Sequence, residues 1–198
     1  MFTEAPIMQS FEKYHPIMSV HYTMDWLTTF KIKDIFQLRA DRQVAAESGR
    51  EFDQKITDTA RYINRSMRLV MSNNALLYGI MDRASHEFLG SFCIWNFSQK
   101  KTVAQVRFET LASHQGEGIM SEVIKRMLGF AFFELGLKRV YVILPATNER
   151  GAKLLTTNFF TKVGDYHHDR TLPDGSKVPL VRYELTAEDV ADKEDFHF

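Results

Sequence analysis

The run Ser113-His114-Gln115-Gly116-Glu117-Gly118-Ile119-Met120-Ser121-Glu122 has the residue types and spacing of an anion site. Two glycines stand just before an apolar segment of helical period. Ile119, Val123, Met127 and Ala131 share one face of it, with Met120, Ile124 and Leu128 beside them. A helix leaves its first N–H groups without intrahelical partners, and its dipole favours negative charge there. Glycine lets that bare backbone approach a ligand, because no side chain stands between. A pyrophosphate is the usual occupant of such a turn. Thr102 to Leu111, just upstream, alternates like a strand.

The rest of the chain supplies elements to position this turn. Tyr22 to Phe30 alternates well enough for a first strand, and Asp34 is an N-cap candidate for a short helix through Ile35, Phe36 and Leu38. Arg39 to Lys55 is polar and charged, with Gly49 as a breaker. Thr57 is the expected cap of a second helix through Ile63, Met67 and Val70, ended by Asn73-Asn74. Tyr78–Asp82 and Phe88–Phe92 read as two strands about a polar turn. Gly136 stops the long helix, Val140–Leu144 is a short buried strand ahead of Pro145, and Glu149–Thr157 is a further helix. Phe159–His167 and Val178–Leu185 read as strands joined by the turn Leu172-Pro173-Asp174-Gly175-Ser176. Residues 187–198 are acidic and expected to fray. Residues 1–20 carry Phe2, Ile7, Met8, Phe11, Tyr14, Ile17 and Met18, too many apolar side chains for a free tail. They are expected to pack on the domain or on a partner, a homodimer included.

The pattern Gln115-x-x-Gly118-x-Met120-Ser121-Glu122 resembles the acetyl-CoA loop of the GNAT N-acetyltransferases, and more narrowly the RimJ/RimL-like branch that acetylates ribosomal proteins. The Leu89-Gly90 pair, Leu135 to Val140 and Asn148 fall in the family's order. The resemblance covers roughly Tyr22 to Leu185. It implies a mixed α/β fold: a twisted, mostly antiparallel sheet flanked by helices, with a central splayed parallel strand pair. The domain then spans 21–186, between an N-terminal extension and an acidic tail. It further implies acetyl-CoA as co-substrate, held by backbone N–H groups from Gln115, Gly116, Glu117, Gly118, Ile119, Met120 and Ser121. Leu111 would lie beside the pantetheine amides, and Asn148 would reach the same arm. Ser121 is open between a ligand hydrogen bond and a plain helix-surface serine, and Asn148 between ligand and helix cap.

Three positions depart from the family. Gln105 stands where a glutamate often serves as general base, and an amide cannot accept that proton. Gly151 stands where a serine is proposed to protonate the leaving thiolate, and Phe159-Phe160 replaces a Gly-Phe pair. Glu109 is the carboxylate candidate for a base, against a solvent-facing Glu paired with Arg107 or a cross-strand Lys. Tyr141 is the candidate acid, against an aromatic of the core. His114 adjoins the loop, near a phosphate or as a turn histidine. His167 and His168 are neighbours on a strand and point to opposite faces, so no metal site is expected.

Composition agrees with one domain. The 198 residues are 44% hydrophobic, with 16 Phe, enough for a sizeable core. The formal net charge of +0 gives no global footprint for nucleic acid or an anionic membrane. The lone Cys93 lies in an apolar strand and reads as a buried, inert thiol. Neither a signal peptide nor a bilayer-length apolar run is legible, so a cytoplasmic protein is expected. The expected function is transfer of acetyl from acetyl-CoA to a primary amine, favouring a protein N-terminal α-amine. The alternatives are a small amine (antibiotic or polyamine) as acceptor, or a CoA-binding module without turnover.

Overall fold

A computed structural model describes residues 10–164, 166–172 and 174–198. Among these, the strands are β1 (Ile17–Met18), β2 (Tyr22–Trp26), β3 (Ala75–Asp82), β4 (Phe88–Trp95), β5 (Val103–Thr110), β6 (Arg139–Pro145), β7 (Thr161–Lys162), β8 (His168–Thr171) and β9 (Lys177–Thr186). The helices are α1 (Ile32–Ala40), α2 (Arg42–Glu47), α3 (Ile56–Met71), α4 (Ile119–Gly129) and α5 (Glu149–Thr157). One sheet has the order β1-β2-β3-β4-β5-β6-β9-β7, with β8 also on β9. Every pairing is antiparallel except β5 with β6.

That parallel pair closes over only Val103↔Arg139, Ala104↔Val140 and Gln105↔Tyr141. Beyond it, β5 stays with β4 as far as Thr110, and β6 stays with β9 as far as Pro145. The two strands are pulled toward opposite partners, so a wedge opens between them. The expected splayed pair is therefore present.

The strand period of two sorts the side chains. Trp26, Tyr78, Phe92 and Phe108 pair in register, and the edge of Phe130 meets Tyr78 at 6.4 Å. This face packs on α4 and its wider-wound continuation Phe130–Glu134. Val123, Ile124, Met127 and Leu128 are buried there, as the helical period requires. The opposite face carries Cys93, Arg107 and Glu109 and meets α1 to α3. Burial pushes the Cys93 thiol up to about 11, in keeping with an inert cysteine.

Several sequence expectations are corrected. The polar run 39–55 contains a helix, α2, because the Asp41 side chain accepts from the Val44 N–H at 2.9 Å and caps it. Helix α1 starts at Ile32 after Lys31, leaving Asp34 in its first turn, and α3 starts at Ile56 after Lys55, not at a Thr57 cap. The strand expected over Tyr22–Phe30, β2, ends at Trp26, and of the strand expected over Phe159–His167 only β7, Thr161–Lys162, forms, with β8 following at His168. The turn Leu172–Ser176 closes through Leu172 N to Ser176 O at 2.8 Å, with Pro173 outside the described residues. Phe159 itself takes the left-handed conformation, φ 68°, that the family's glycine would take. The turn is thus kept at a cost of about 1–2 kcal/mol.

Both ends are anchored. Residues 1–9 lie outside the described residues, but Phe11 and Ile17 are buried and Tyr78 Oη donates to Tyr14 O at 2.6 Å. The acidic C-terminus does not fray. Val190 and Phe196 are buried, and Phe196 O lies so close to Gly129 that a Cβ there would meet it at 2.1 Å.

Candidate active site

The wedge between β5 and β6 is the mouth of a cavity of about 280 Å³ that runs to the glycine loop. Its walls include Phe108 and Thr110 of β5, Val142 to Leu144 of β6, the loop residues, and Asn148 and Gly151 of α5. Val44 and Glu47 of α2 and its C-cap Ser48 close one side.

Gly116 has φ 88°, and Gly118, the N-cap of α4, has φ 80°. A Cβ added at either would have no atom within 4 Å, so both face open space. The N–H groups of Gly116, Glu117 and Gly118 have no hydrogen-bond partner among the described residues. The first N–H groups of α4 are orphaned by helix geometry as well. The turn is therefore a concave row of donors at the positive end of a helix. Ile119 and Met120 are buried in the core and also border the cavity. Ser121 borders the cavity, while the Glu117 side chain turns away to His114 at 3.0 Å. His114 also reaches Glu87 at 3.2 Å. Hydrogen bonding to Glu117 raises its pKa above the ordinary value, more than partial burial lowers it, and Glu87 adds to the rise. An imidazole whose proton is held more tightly than usual thus stands beside the donor row.

The strand edges add a second row. Leu111 N donates to Leu89 O at 2.8 Å, so Leu111 faces β4 and its N–H is already spent. Alternation then turns the backbone groups of Val106, Phe108 and Thr110 toward the wedge. Gln115 Nε2 donates to Thr110 O at 3.4 Å, on that same edge. Leu111 itself therefore offers no free N–H to the wedge, whereas Phe108 and Thr110 lie on its open edge. On β6, Ala146 N donates to Pro179 O at 2.9 Å, which places the Ile143 backbone on the wedge side by the same alternation.

Asn148 is both cap and wall. Its Oδ1 accepts from Gly151 N at 2.8 Å, and its Nδ2 donates to Glu47 O at 2.9 Å. Gly151 permits this bend, since a Cβ there would meet the Asn148 Nδ2 at 2.8 Å. The family's serine is absent where Asn148 needs the room.

Glu109 borders the cavity but is not a free carboxylate. Arg50 Nε and Nη2 donate to its two oxygens at 2.6 and 3.1 Å. The other Arg50 donors go to the carbonyls of Arg39, Glu51 and Leu38. Burial alone would raise the Glu109 pKa, but Arg50's charge and hydrogen bonds outweigh it and hold the carboxyl below its ordinary value. Both expectations for Glu109 change: it is neither solvent-facing nor available as a strong base. Tyr141 sits at the last closed rung of the pair, outside the cavity lining. Its Oη accepts from Asn96 Nδ2 at 2.7 Å, and Arg182 lies over its ring at 3.9 Å. Its ring is thus buried, as expected of a core aromatic, with its hydroxyl turned to Asn96.

Sequence reading missed Glu47 and Arg50. Glu47 ties the walls together: its Oε2 accepts from Gln115 Nε2 at 3.2 Å and Arg150 Nη2 at 2.7 Å. The Asp41 cap signals α2, but no spacing announces partners 59 to 103 residues apart. Among the described residues, no group of His, Cys, Asp and Glu could hold a metal ion, and no helix is long and apolar enough to cross a membrane.

The family described as "Acetyltransferase (GNAT) domain" matches residues 25–161, well over half of the chain. A curated relative, the uncharacterized N-acetyltransferase YoaA of Bacillus subtilis (strain 168), is 27% identical over 130 residues, 66% of this chain and 73% of that protein. Spermidine N-acetyltransferase from Vibrio cholerae, solved with CoA and spermine, superposes with a TM-score of 0.76 at 17% identity, covering 87% of this chain and 99% of the other. A structure of a putative ribosomal-protein-serine acetyltransferase from Vibrio cholerae gives 0.71 at 15% identity, over 87% and 97%. The microcin C7 self-immunity acetyltransferase MccE, solved with acetyl-CoA and AMP, gives 0.73 at 16% identity, over 85% and 93%. With its splayed pair and its glycine turn opening α4, the chain belongs to the GNAT N-acetyltransferases, enzymes of the acyltransferase class.

Proposed function

We propose that the cleft binds acetyl-CoA and that the acceptor is the α-amino group of a protein or peptide, as in the RimJ/RimL-like branch. The observation that carries the first part is one continuous cavity joining a row of unspent loop N–H groups to two open strand edges. The space at Gly116 and Gly118 and the donors around it fit a pyrophosphate. Phe108, Thr110 and Ile143 offer backbone groups suited to the amides of an extended arm. Acetyl-CoA supplies the acetyl group as a thioester. In the net reaction an N–C bond forms, the thioester C–S bond breaks, and the proton given up by the amine ends on the departing CoA sulfur. Fixed N–H groups on the splayed edge polarise the carbonyl, and holding both substrates in one wedge contributes most of the rate.

The acceptor reading rests on the proton. Glu109 is tied to Arg50 and position 105 is an amide, so the amine arrives already neutral. A free α-amine has a pKa of about 7.7–8.0, against about 10.4 for a lysine-like amine, and so supplies far more neutral form at pH 7. Glu109 then acts by holding Arg50 and the β5 edge, and Tyr141 by shaping the closed end of the wedge. The test is calorimetric titration with acetyl-CoA, followed by an acceptor screen of peptides with varied N-termini, polyamines and aminoglycosides. We expect acetyl-CoA binding and peptide turnover whose kcat/KM rises with pH along the acceptor's own titration. Polyamine turnover at neutral pH exceeding every peptide would overturn the acceptor reading.

A further inference from the structure

The sheet face that meets the wedge from the α1–α3 side carries a ladder of polar and aromatic side chains. Trp95, Gln105, Tyr141 and Glu184 lie directly opposite one another across β4, β5, β6 and β9, so they share that face. One step on, Arg107 stands on β5, and Ile143 of β6 pairs with Arg182 of β9. Arg107 and Ile143 both line the cavity, so the face and the wedge are continuous.

Its charge is unbalanced. Arg182 is paired with Glu184 at 2.7 Å, but Glu184 is already shared with Arg139 at 3.3 Å. Arg107 lies over Trp95 at 5.5 Å, hydrogen-bonds the Tyr62 hydroxyl and feels the Glu109 charge, but has no carboxylate within 4.0 Å among the described residues. Glu109, two residues along, is spent on Arg50. The enclosed Trp95 Nε1 and Arg182 Nε both lack partners among the described residues, and both are donors only. The face holds more donors and more positive charge than it can match from within.

We propose that this face binds the acceptor through a carboxylate a few bonds from the reacting amine, with Arg107 as its principal partner. The inference rests on the acetyltransferase reading above. An acidic peptide N-terminus fits it, a free amino acid presents the same chemistry, and a polyamine is repelled.

The experiment compares two peptides that differ only in Glu against Gln at positions two and three. Free glutamate and spermidine are run beside them, on the wild-type chain and on Arg107→Gln, Arg107→Lys and Arg182→Gln. Acetyl-CoA affinity is measured separately by calorimetry. We expect at least a tenfold preference for a carboxylate-bearing acceptor, weakened by salt. Peptide against free glutamate tells the source. Arg107→Gln should abolish the preference by raising KM with kcat kept, Arg107→Lys should restore part of it, and Arg182→Gln should reduce it. Equal use of the Glu and Gln peptides, better use of spermidine, or an unchanged preference in a folded Arg107→Gln would overturn the proposal. So would failure of the Glu peptide and glutamate to bind the CoA-loaded protein. Loss of acetyl-CoA binding in the wild-type chain would instead overturn the reading on which it rests.

Discussion

At the scale of single residues, the ion pair of Arg50 with Glu109 decides what the cleft can do. Both side chains are almost enclosed, at 8% and 5% exposure, and each is fully hydrogen-bonded. Removing one partner of such a pair leaves a buried charge uncompensated, at a cost of about 3–5 kcal/mol. Glu109→Gln is therefore expected to lose stability of that order at neutral pH, read by denaturant unfolding. Because its folded pKa is lowered, the carboxylate contributes fully above its unfolded value of about 4.3. That contribution is lost as pH falls through the lower folded value, so the gap between wild type and variant closes on acidification. A gap that does not begin to narrow as pH falls below about 4.3 would refute the pairing as its cause.

At the scale of elements, the strand-to-helix turn carries the affinity. Gly118→Asp adds a negative charge beside the N–H row and places a side chain on a backbone with φ 80°. We expect acetyl-CoA affinity to fall at least tenfold, about 1.4 kcal/mol, with the fold retained. Gly118→Ala separates the terms: it carries the backbone strain of about 1–2 kcal/mol without the charge, so it should lose stability but less affinity. Calorimetry together with thermal unfolding reads both, and unchanged affinity in folded Gly118→Asp would move the site elsewhere. The short helix α2 complements this turn, since Glu47 at its end holds Gln115 on one wall and Arg150 on the other.

At the scale of the molecule, the two ends close the core from outside the sequence-matched domain. Phe11 and Ile17 are buried at one end, Val190 and Phe196 at the other. Burying such a side chain contributes about 1.5–3 kcal/mol, so a chain starting at His21 should lose about 3–6 kcal/mol, and one ending at Thr186 a similar amount. Such losses are large against a domain's total stability, so both truncations should show a markedly lower Tm. Unchanged unfolding of either would mean that its end is not part of the core.

What the sequence by itself determined is local and periodic. Alternation marked β5, the period of 3.6 marked α4, and Gly116 and Gly118 marked the turn between them. Those signals arise within a few residues, where backbone geometry dictates side-chain spacing. The splayed pair was legible only through the family resemblance, since strand period says nothing about where two strands part. Tertiary structure alone decided which polar groups meet: Glu109 with Arg50, Glu47 with Gln115 and Arg150, and Arg107 with no carboxylate among the described residues. It also decided which backbone groups of β5 are free, because the hydrogen bond of Leu111 with Leu89 leaves Phe108 and Thr110 on the open edge. Pairing across tens of residues depends on where the folded strands and helices lie, and no local pattern in the chain records it.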